Sequence, residues 1–346
     1  MNPIAVYYDS TVFYWSAIII TVGLLAALLM SLSLQVTNRG RIVSMMLFFP
    51  LALLFSVPLC RILHWYCHQE QYAGFFTAVT DYTAGSYVLP AAIPGVWLAA
   101  WIAAKLDDGD TAKLLDAAAP GMALAVAFIR LSALFSSACR SKIAVTTGVL
   151  QHLPLAAGIT NSAGATEYRF ATFFAHFLLM LLFCLMLLKF FLKRRRIPMK
   201  AGRSEGNTVN MLLLLYSASE LIMDSTRYDS SFLPINGFVS IVQIIAAVCI
   251  LLLLIHYSRL SILANGMHFW HWLLWIVWLI FLLGVGATEY LVQRYGDRYL
   301  SCYSGMAVCC IVIAAVVYRF YLTACRKPED EAESEEEAEA EEEAAE

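Results

Sequence analysis

Arg130 is the residue with the clearest chemical consequence, because it lies in an otherwise uncharged apolar stretch that runs from Ala117 to Ala138. A guanidinium at membrane depth costs at least ~2.5–3.5 kcal/mol, so a compensating anion is expected beside it. In a bilayer the abundant anion is a lipid phosphate, which arginine binds through two parallel hydrogen bonds. The sequence therefore predicts that Arg130 contacts a lipid head group.

Three other arginines, Arg61, Arg140 and Arg227, lie at or near the ends of apolar segments. Together with Arg130 they can form a basic chamber for a phosphoglycerol head group, since arginine holds phosphate in a fixed orientation. The alternative for these three is that their long side chains reach the membrane interface and bind nothing specific. The sequence leaves both interpretations open.

Glu220, Asp224 and Arg227 share one helical face, because they are spaced i, i+4 and i+7. Asp224 and Arg227 can form an ion pair at i,i+3. A carboxylate in this place can orient an arginine or act as a general base, which makes Asp224 a candidate catalytic residue. The alternative is a buried charge pair that joins two spans.

Cys60, His64 and His68 repeat on another helical face. Two histidines at this spacing can ligate zinc, but no carboxylate joins the face and Arg61 is adjacent, so no metal is expected. His64 is the better candidate for carrying a proton or bonding a head group. His176, alone on an apolar face, is expected to make an interhelical hydrogen bond.

The elements that position these residues are membrane spans. The chain has 346 residues, 60% apolar and 14% charged, and about nine segments can cross ~30 Å of hydrocarbon. We predict an all-α, polytopic integral membrane protein. The predicted spans are Val12–Leu34, Ile42–Tyr66, Tyr87–Ala104, Leu114–Ser137, Tyr168–Leu192, Val209–Thr226, Gly237–Tyr257, Phe269–Tyr290 and Leu300–Leu322.

Prolines interrupt two of these spans. Pro50 and Pro58 fall in the second span and Pro90 and Pro94 in the third, which predicts that both helices are kinked or partly broken. Broken helices can also serve as the gate of a transporter or flippase, although the chain shows no internal repeat of the kind that transporters carry.

Lysines and arginines in short loops orient the spans, because cytoplasmic loops carry the excess of these residues. The strongest block runs from Lys193 to Arg196, after the fifth span. With that loop in the cytoplasm, the N-terminus lies outside and the C-terminus inside, and the four arginines face the outer side. Met1–Ser10 lacks lysine and arginine, so it is not expected to begin a cleavable signal peptide.

The end of the chain differs sharply from the rest. Glu329–Glu346 holds 12 acidic and no basic side chains, which leaves 23 basic and 14 acidic residues, a charge of +9, on the remainder. Like charges at i,i+3 and i,i+4 oppose a helix, so a disordered solubilising tail is predicted. The alternative is a docking segment for a basic cytoplasmic partner.

The order of these features resembles the bacterial prolipoprotein diacylglyceryl transferase family over roughly Phe13–Arg259. Phe13-Tyr-Trp-Ser-Ala-Ile is similar to the aromatic start of the family's first span, and Pro58-Leu-Cys-Arg61-Ile-Leu to its Gly-Ala-Arg-Leu stretch. The segment from Leu115 into Arg130 resembles the approach to the family signature. Leu214 to Arg227 resembles the family's helix that ends in Glu-Phe-x-Arg.

The signature itself departs from the family pattern Arg-x-Gly-Asn-Phe-x-Asn-x-Glu. Only Arg130 is retained; Ser136 stands at the second asparagine, and alanines stand at the first asparagine and the glutamate. The segment Tyr87-Val-Leu-Pro replaces a family histidine motif. Glu220 stands where the family has an arginine, whereas Asp224 and Arg227 match the following acid and arginine.

The resemblance implies a seven-span enzyme of the bacterial inner membrane that moves a diacylglyceryl group from phosphatidylglycerol to the lipobox cysteine of a prelipoprotein. It implies no cofactor and no nucleic-acid partner. Residues 1–259 are then a transferase-like core, 260–326 two additional spans and 327–346 the tail. His64 or Asp224 must replace the missing base, and the expected lipid-binding residues are Arg61, Arg130, Ser136, Arg140 and Arg227.

Two other functions stay open from the sequence. The first is a phospholipid-binding membrane protein that kept the fold and lost the chemistry, because a fold alone does not determine a reaction. The second is the transporter or flippase with its gate at the proline-containing spans.

Overall fold

Eleven helices and six short strands account for the ordered elements of this computed structural model, which describes residues 4–8, 11–80, 87–135, 140–152, 155–160, 166–194, 199–200, 202–233, 236–294 and 299–325. Ser136 and the acidic tail lie outside the described residues. The helices are α1 Trp15–Thr37, α2 Ile42–Cys67, α3 Phe75–Thr80, α4 Ala92–Leu106, α5 Thr111–Ser132, α6 Gly148–Gln151, α7 Thr172–Arg194, α8 Asn207–Thr226, α9 Ile241–Asn265, α10 Phe269–Arg294 and α11 Tyr299–Ala324.

The strands form three antiparallel pairs, one before α1 and two in connections between helices. They are β1 Ile4–Tyr8 with β2 Thr11–Tyr14, β3 Ala156–Thr160 with β4 Thr166–Phe170, and β5 Phe232–Leu233 with β6 Asn236–Ser240. All three pairs lie at the end of the bundle where α1 begins and α5 and α8 finish. We call this end the strand end.

The membrane prediction is confirmed. Among the described residues, eight helices are long and apolar enough to cross a membrane. The remaining predicted span, Val209–Thr226, is α8, whose 20 residues reach about 30 Å at ~1.5 Å per residue. It falls short of the others in apolarity because its neighbours surround it: 14 of its residues are buried, Glu220 and Asp224 among them.

The prolines act differently in the two spans. The helix α2 runs continuously through Pro50 and Pro58, so the second span is not broken. The third span begins with a single 3₁₀ turn at Leu89–Ala91, and α4 follows with Pro94 in its first turn. A proline in the first turn removes no helical hydrogen bond, which explains why α4 is intact after this start.

Small residues allow the helices to approach closely. A Cβ added to Gly121 of α5 would lie 2.1 Å from Ser31 Oγ of α1, and one added to Gly95 of α4 would lie 2.9 Å from the Ser56 backbone of α2. In a bilayer such backbone proximity drives helix association, because lipid tails already solvate apolar side chains. The pairs α1–α5 and α2–α4 are accordingly two of the closest in the bundle.

Candidate functional site

The helix α8 is at the centre of the charged cluster, and α5 lies parallel to it. At the end opposite the strands, Asp116 of α5 accepts hydrogen bonds from the backbone nitrogens of Gly206, Thr208 and Val209 at 2.7, 2.8 and 3.0 Å. These are the unpaired donors at the start of α8, where a carboxylate also complements the helix dipole. Asp116 therefore fixes the beginning of α8 against α5.

The second connection between α5 and α8 is an ion pair. Arg130 Nη2 donates to Glu220 Oε1, with Arg130 6% and Glu220 0% exposed. The anion that Arg130 requires is therefore supplied by the chain itself, which corrects the expectation that a lipid phosphate is its compensating charge. The sequence left two roles open for the carboxylates of α8, a general base or a charge pair that joins two spans. Glu220 forms such a joining pair, between α5 and α8.

His176 of α7 completes this buried cluster. Its Nε2 lies 3.9 Å from Glu220 Oε1, and 1% of the residue is exposed. Tyr216, one helical turn before Glu220, is also buried. Three helices, α5, α7 and α8, thus meet at one carboxylate, which neutralises a neighbouring cation in a low-dielectric environment.

Asp224 and Arg227 form the predicted i,i+3 ion pair, with 3.4 Å between Arg227 Nη1 and Asp224 Oδ1. The guanidinium also binds Asp229 through two parallel hydrogen bonds of 3.1 Å. Asp224 has no exposed surface, whereas the Arg227 side chain is 11% exposed. Arg227 is therefore the better placed of the two to meet a ligand at the strand end.

The segment that carries Arg140 packs on the end of α8. Tyr228 N donates to Arg140 O at 2.8 Å, and Lys142 N donates to Thr226 O at 2.9 Å. The Ser141 hydroxyl donates to the same Thr226 carbonyl at 3.0 Å. The backbones at Arg140 and Arg227 are thus adjacent at the strand end.

Arg61 and His64 form a second polar group on α2. Arg61, 1% exposed, donates from Nε and Nη2 to the Ala78 carbonyl at 3.1 and 2.7 Å, and Tyr72 and Tyr87 lie against its guanidinium. His64 Nδ1 lies 3.2 Å from the Tyr72 hydroxyl, and its ring stacks on His68 at 4.3 Å. Arg61 is thus oriented by the chain that follows α2.

An apolar cavity of about 440 Å³ lies between α1, α2, α4, α5 and α8. It extends along α5 from Leu115 to Ile129, a distance of about 21 Å at ~1.5 Å per residue. Its few polar side chains are Ser56, Cys60, Tyr87 and Tyr216. Cys60 and Ile129 immediately adjoin Arg61 and Arg130 in the chain. The cavity therefore ends close to both buried arginines.

The predicted site residues fall into two groups in the structure. Arg130, Arg227 and Asp224 gather around α8, with the Arg140 backbone beside them, while Arg61 and His64 belong to α2. Among the described residues, Arg61 donates to a backbone carbonyl, whereas Arg130 and Arg227 are each paired with a carboxylate, so the chain itself offsets two of these three charges.

Sequence reasoning did not assign a binding or catalytic role to Glu220, His176 or Tyr216. A signal for the first was present: a carboxylate and an arginine, both deep in spans, are expected to pair rather than remain separately charged. No sequence signal places His176 or Tyr216 beside Glu220, because that position depends on which helices pack together.

Comparison with models of known protein families identifies the family of this chain. The sequence model of the family described as prolipoprotein diacylglyceryl transferase matches residues 3–257, well over half of the chain. No curated protein matches the sequence. The matched region contains the cavity and the charged cluster, and it ends before α10 begins.

Proposed function

Because the chain belongs to the prolipoprotein diacylglyceryl transferase family, we propose that it transfers the diacylglyceryl group of phosphatidylglycerol to the lipobox cysteine thiol of a prelipoprotein. The single observation that carries this proposal is the family match over the residues that enclose the cavity. The arrangement of apolar cavity and neighbouring arginines supports it, because such a lipid has two acyl chains and one phosphate.

The cavity is the proposed site for the acyl chains. Its walls come from five helices and are almost wholly apolar, as a hydrocarbon ligand requires. A length of about 21 Å, at ~1.5 Å rise per residue of α5, is long enough for an extended acyl chain to lie along the helices. The glycerol backbone then lies near Cys60 and Ile129.

The arginines are the proposed site for the phosphate. Arg227, partly exposed at the strand end, is the first contact, with Arg140 adjacent in the fold. Arg61 and Arg130 are the deeper proposed contacts, beside the end of the cavity; Arg61 adds positive potential there, whereas Glu220 offsets the charge of Arg130. Ser136 keeps its proposed role as a lipid contact on the resemblance alone.

The proposed chemical step is a substitution at the glycerol C3 carbon. The cysteine thiol gives its proton to a base, and its sulfur forms a C–S bond as the C3–O bond to phosphate breaks. Glycerol phosphate leaves with the bonding electron pair, and its charge is stabilised by the arginines. His64 is the proposed base, since the Tyr72 hydroxyl contacts its Nδ1 and orients the ring; Asp224 is the alternative.

The proposed orientation places the strand end outside the bacterial inner membrane. Basic side chains at the opposite end then face the cytoplasm, as the charge rule for short loops requires. In the described chain they include Arg39, Arg41, Lys105, Lys113, Lys193, Lys200, Arg203 and Arg259. The acidic tail then enters the cytoplasm, where a basic partner remains the alternative to a free tail.

A second candidate function has one specific observation in its favour. Glu220 neutralises Arg130, the one retained residue of the family signature, and so competes with a lipid phosphate for it. A phospholipid-binding membrane protein without turnover would tolerate that competition. Binding to phosphatidylglycerol is common to both candidates, and only product formation separates them.

The test uses purified protein in vesicles that contain phosphatidylglycerol, with a lipobox peptide added. We expect a diacylglyceryl thioether on the peptide and an equimolar amount of released glycerol phosphate. A peptide with serine in place of the lipobox cysteine is the matched control. No product, beside a competent transferase assayed in parallel, overturns the proposal; lipid binding without product favours the second candidate.

A further inference from the structure

The helix α10 lies beyond the matched residues, yet it contributes a buried carboxylate to the bundle. Glu289 is 3% exposed, and both of its oxygens accept hydrogen bonds from amides. Gln243 Nε2 of α9 donates to Oε2 at 3.0 Å, and Gln293 Nε2 of α10 donates to Oε1 at 2.9 Å. Each oxygen of Glu289 therefore accepts one side-chain hydrogen bond, one from α9 and one from α10.

Gln243 connects this carboxylate to α8. Besides binding Glu289, its Nε2 donates to Leu221 O of α8 at 3.1 Å. Its Oε1 accepts from Ser240 N at 3.1 Å, in the capping box that begins α9. Both the oxygen and the nitrogen of the Gln243 side-chain amide therefore make hydrogen bonds. Because Nε2 has two acceptors, Glu289 Oε2 and Leu221 O, the orientation of the amide is fixed.

The helix α11 supports the same turn of α8. The Tyr303 hydroxyl donates to Ser225 O at 3.1 Å. Asp224 lies between the two carbonyls, Leu221 and Ser225, that receive these hydrogen bonds. The two helices outside the family match thus hold the turn that carries Asp224, from two directions.

We propose that Glu289 is a positioning residue: through Gln243 it fixes the α8 turn Leu221–Ser225 and with it the Asp224–Arg227 pair. The part of this inference that concerns catalysis depends on the proposed function; the part that concerns the α8 turn does not. The helices α10 and α11 then support the proposed site at Asp224 and Arg227.

The chemistry of the network explains why a carboxylate is needed at position 289. Both neighbouring amides present N–H groups to it, and only an acceptor at both atoms satisfies them. In Glu289→Gln one of the two atoms becomes a donor that faces another donor. Gln243 must then rotate its amide or lose a hydrogen bond, and either change disturbs its contact with Leu221 O.

The first test does not require activity. Amide hydrogen exchange is measured over residues 217–228 in the full-length protein in nanodiscs, for Glu289→Ala, Gln243→Ala and the double variant. We expect exchange at the end of α8 to accelerate about tenfold in each single variant and no further in the double variant, because both act in one network. Equal acceleration of other helices, additive effects or no change would overturn the inference.

Two more variants separate positioning from misfolding. Tyr303→Phe removes only the hydroxyl that binds Ser225 O, and faster exchange confined to the same turn is expected. Thr288→Val is the matched control on α10, because Thr288 Oγ1 bonds only the Gly284 and Val285 carbonyls of its own helix among the described residues. This control must match the wild-type protein; acceleration at residues 217–228 there would contradict a role specific to Glu289.

The second test concerns the reaction. In the peptide assay, Glu289→Gln is expected to lower kcat about tenfold with KM for phosphatidylglycerol within about twofold of wild type, since residues in one network couple by such amounts. A change in KM alone overturns the catalytic part. If the wild-type protein gives no product, the proposed function fails, while the exchange result still decides whether Glu289 positions α8.

Discussion

Arg130 and Glu220, 90 residues apart in the chain, form an ion pair between α5 and α8 that has almost no contact with solvent. The two opposite charges connect α5 to α8 inside the bundle. Each charge is then needed by the other, because a lone buried charge is far more costly than a pair.

Breaking this pair is predicted to destabilise the protein. Arg130→Ala or Glu220→Ala should each lower the free energy of unfolding by about 3–5 kcal/mol, since each leaves an uncompensated buried charge. The double variant Arg130→Met with Glu220→Leu should recover most of that loss. Unfolding in mixed micelles measures all three.

The exposed pair Arg41–Asp107 offers the control, because the Arg41 side chain is 57% exposed. Arg41→Ala should cost no more than about 1 kcal/mol. If Arg130→Ala and Glu220→Ala each lower the free energy of unfolding no more than Arg41→Ala does, the Arg130–Glu220 pair does not stabilise the contact between α5 and α8.

Filling the cavity is predicted to abolish lipid binding without unfolding the protein. Ala125→Phe places a ring in the cavity of about 440 Å³, so acyl chains are excluded while the side chain has room. Phosphatidylglycerol binding should fall at least tenfold. Leu182→Phe is the control, because Leu182 of α7 is 52% exposed and does not line the cavity, and it should bind as wild type does. Unchanged binding by Ala125→Phe would mean that the acyl chains lie elsewhere.

His64→Gln is predicted to lower turnover by about 100-fold or more, the usual contribution of a general base. Phosphatidylglycerol binding should persist, because the arginines are untouched. His68→Gln is the matched comparison: its ring stacks on His64, while its Nδ1 bonds the His64 carbonyl in the same helix. A His68 variant as impaired as the His64 variant would argue against His64 as the base.

The orientation is testable by labelling in intact cells. In a background without cysteine, Tyr228→Cys should react with a membrane-impermeant maleimide, because Tyr228 is 74% exposed at the strand end. Arg203→Cys, at a side chain that is 79% exposed at the opposite end, should react only after the membrane is permeabilised. The reverse pattern would invert the proposed topology.

The spans were predictable because each must be apolar over the thickness of a membrane, and every predicted span overlaps one observed helix. The ion pair of Asp224 with Arg227 was predictable for a similar reason, since helical geometry alone brings i and i+3 together. The family resemblance, too, depended on order and spacing and is confirmed by the match over residues 3–257.

Contacts between distant segments were not predictable in this way. The Ala78 carbonyl that binds Arg61 comes from a connecting segment, and no periodicity marks a backbone acceptor. The three short strand pairs were also missed, because strands of two to five residues carry too little pattern beside long apolar helices. The partner of Arg130 required knowing that α5 and α8 are parallel neighbours.

The two contacts of α8 with α5 also bear on how the protein enters the membrane. A helix with Glu220 and Asp224 inserts poorly by itself, because a single central charge costs at least ~2.5–3.5 kcal/mol even on the insertion scale. Both stabilising partners, Asp116 for its first turn and Arg130 for Glu220, belong to a helix that the ribosome completes earlier. We therefore expect membrane insertion to be ordered: α5 is already in the bilayer and available as a partner when the translocon releases α8.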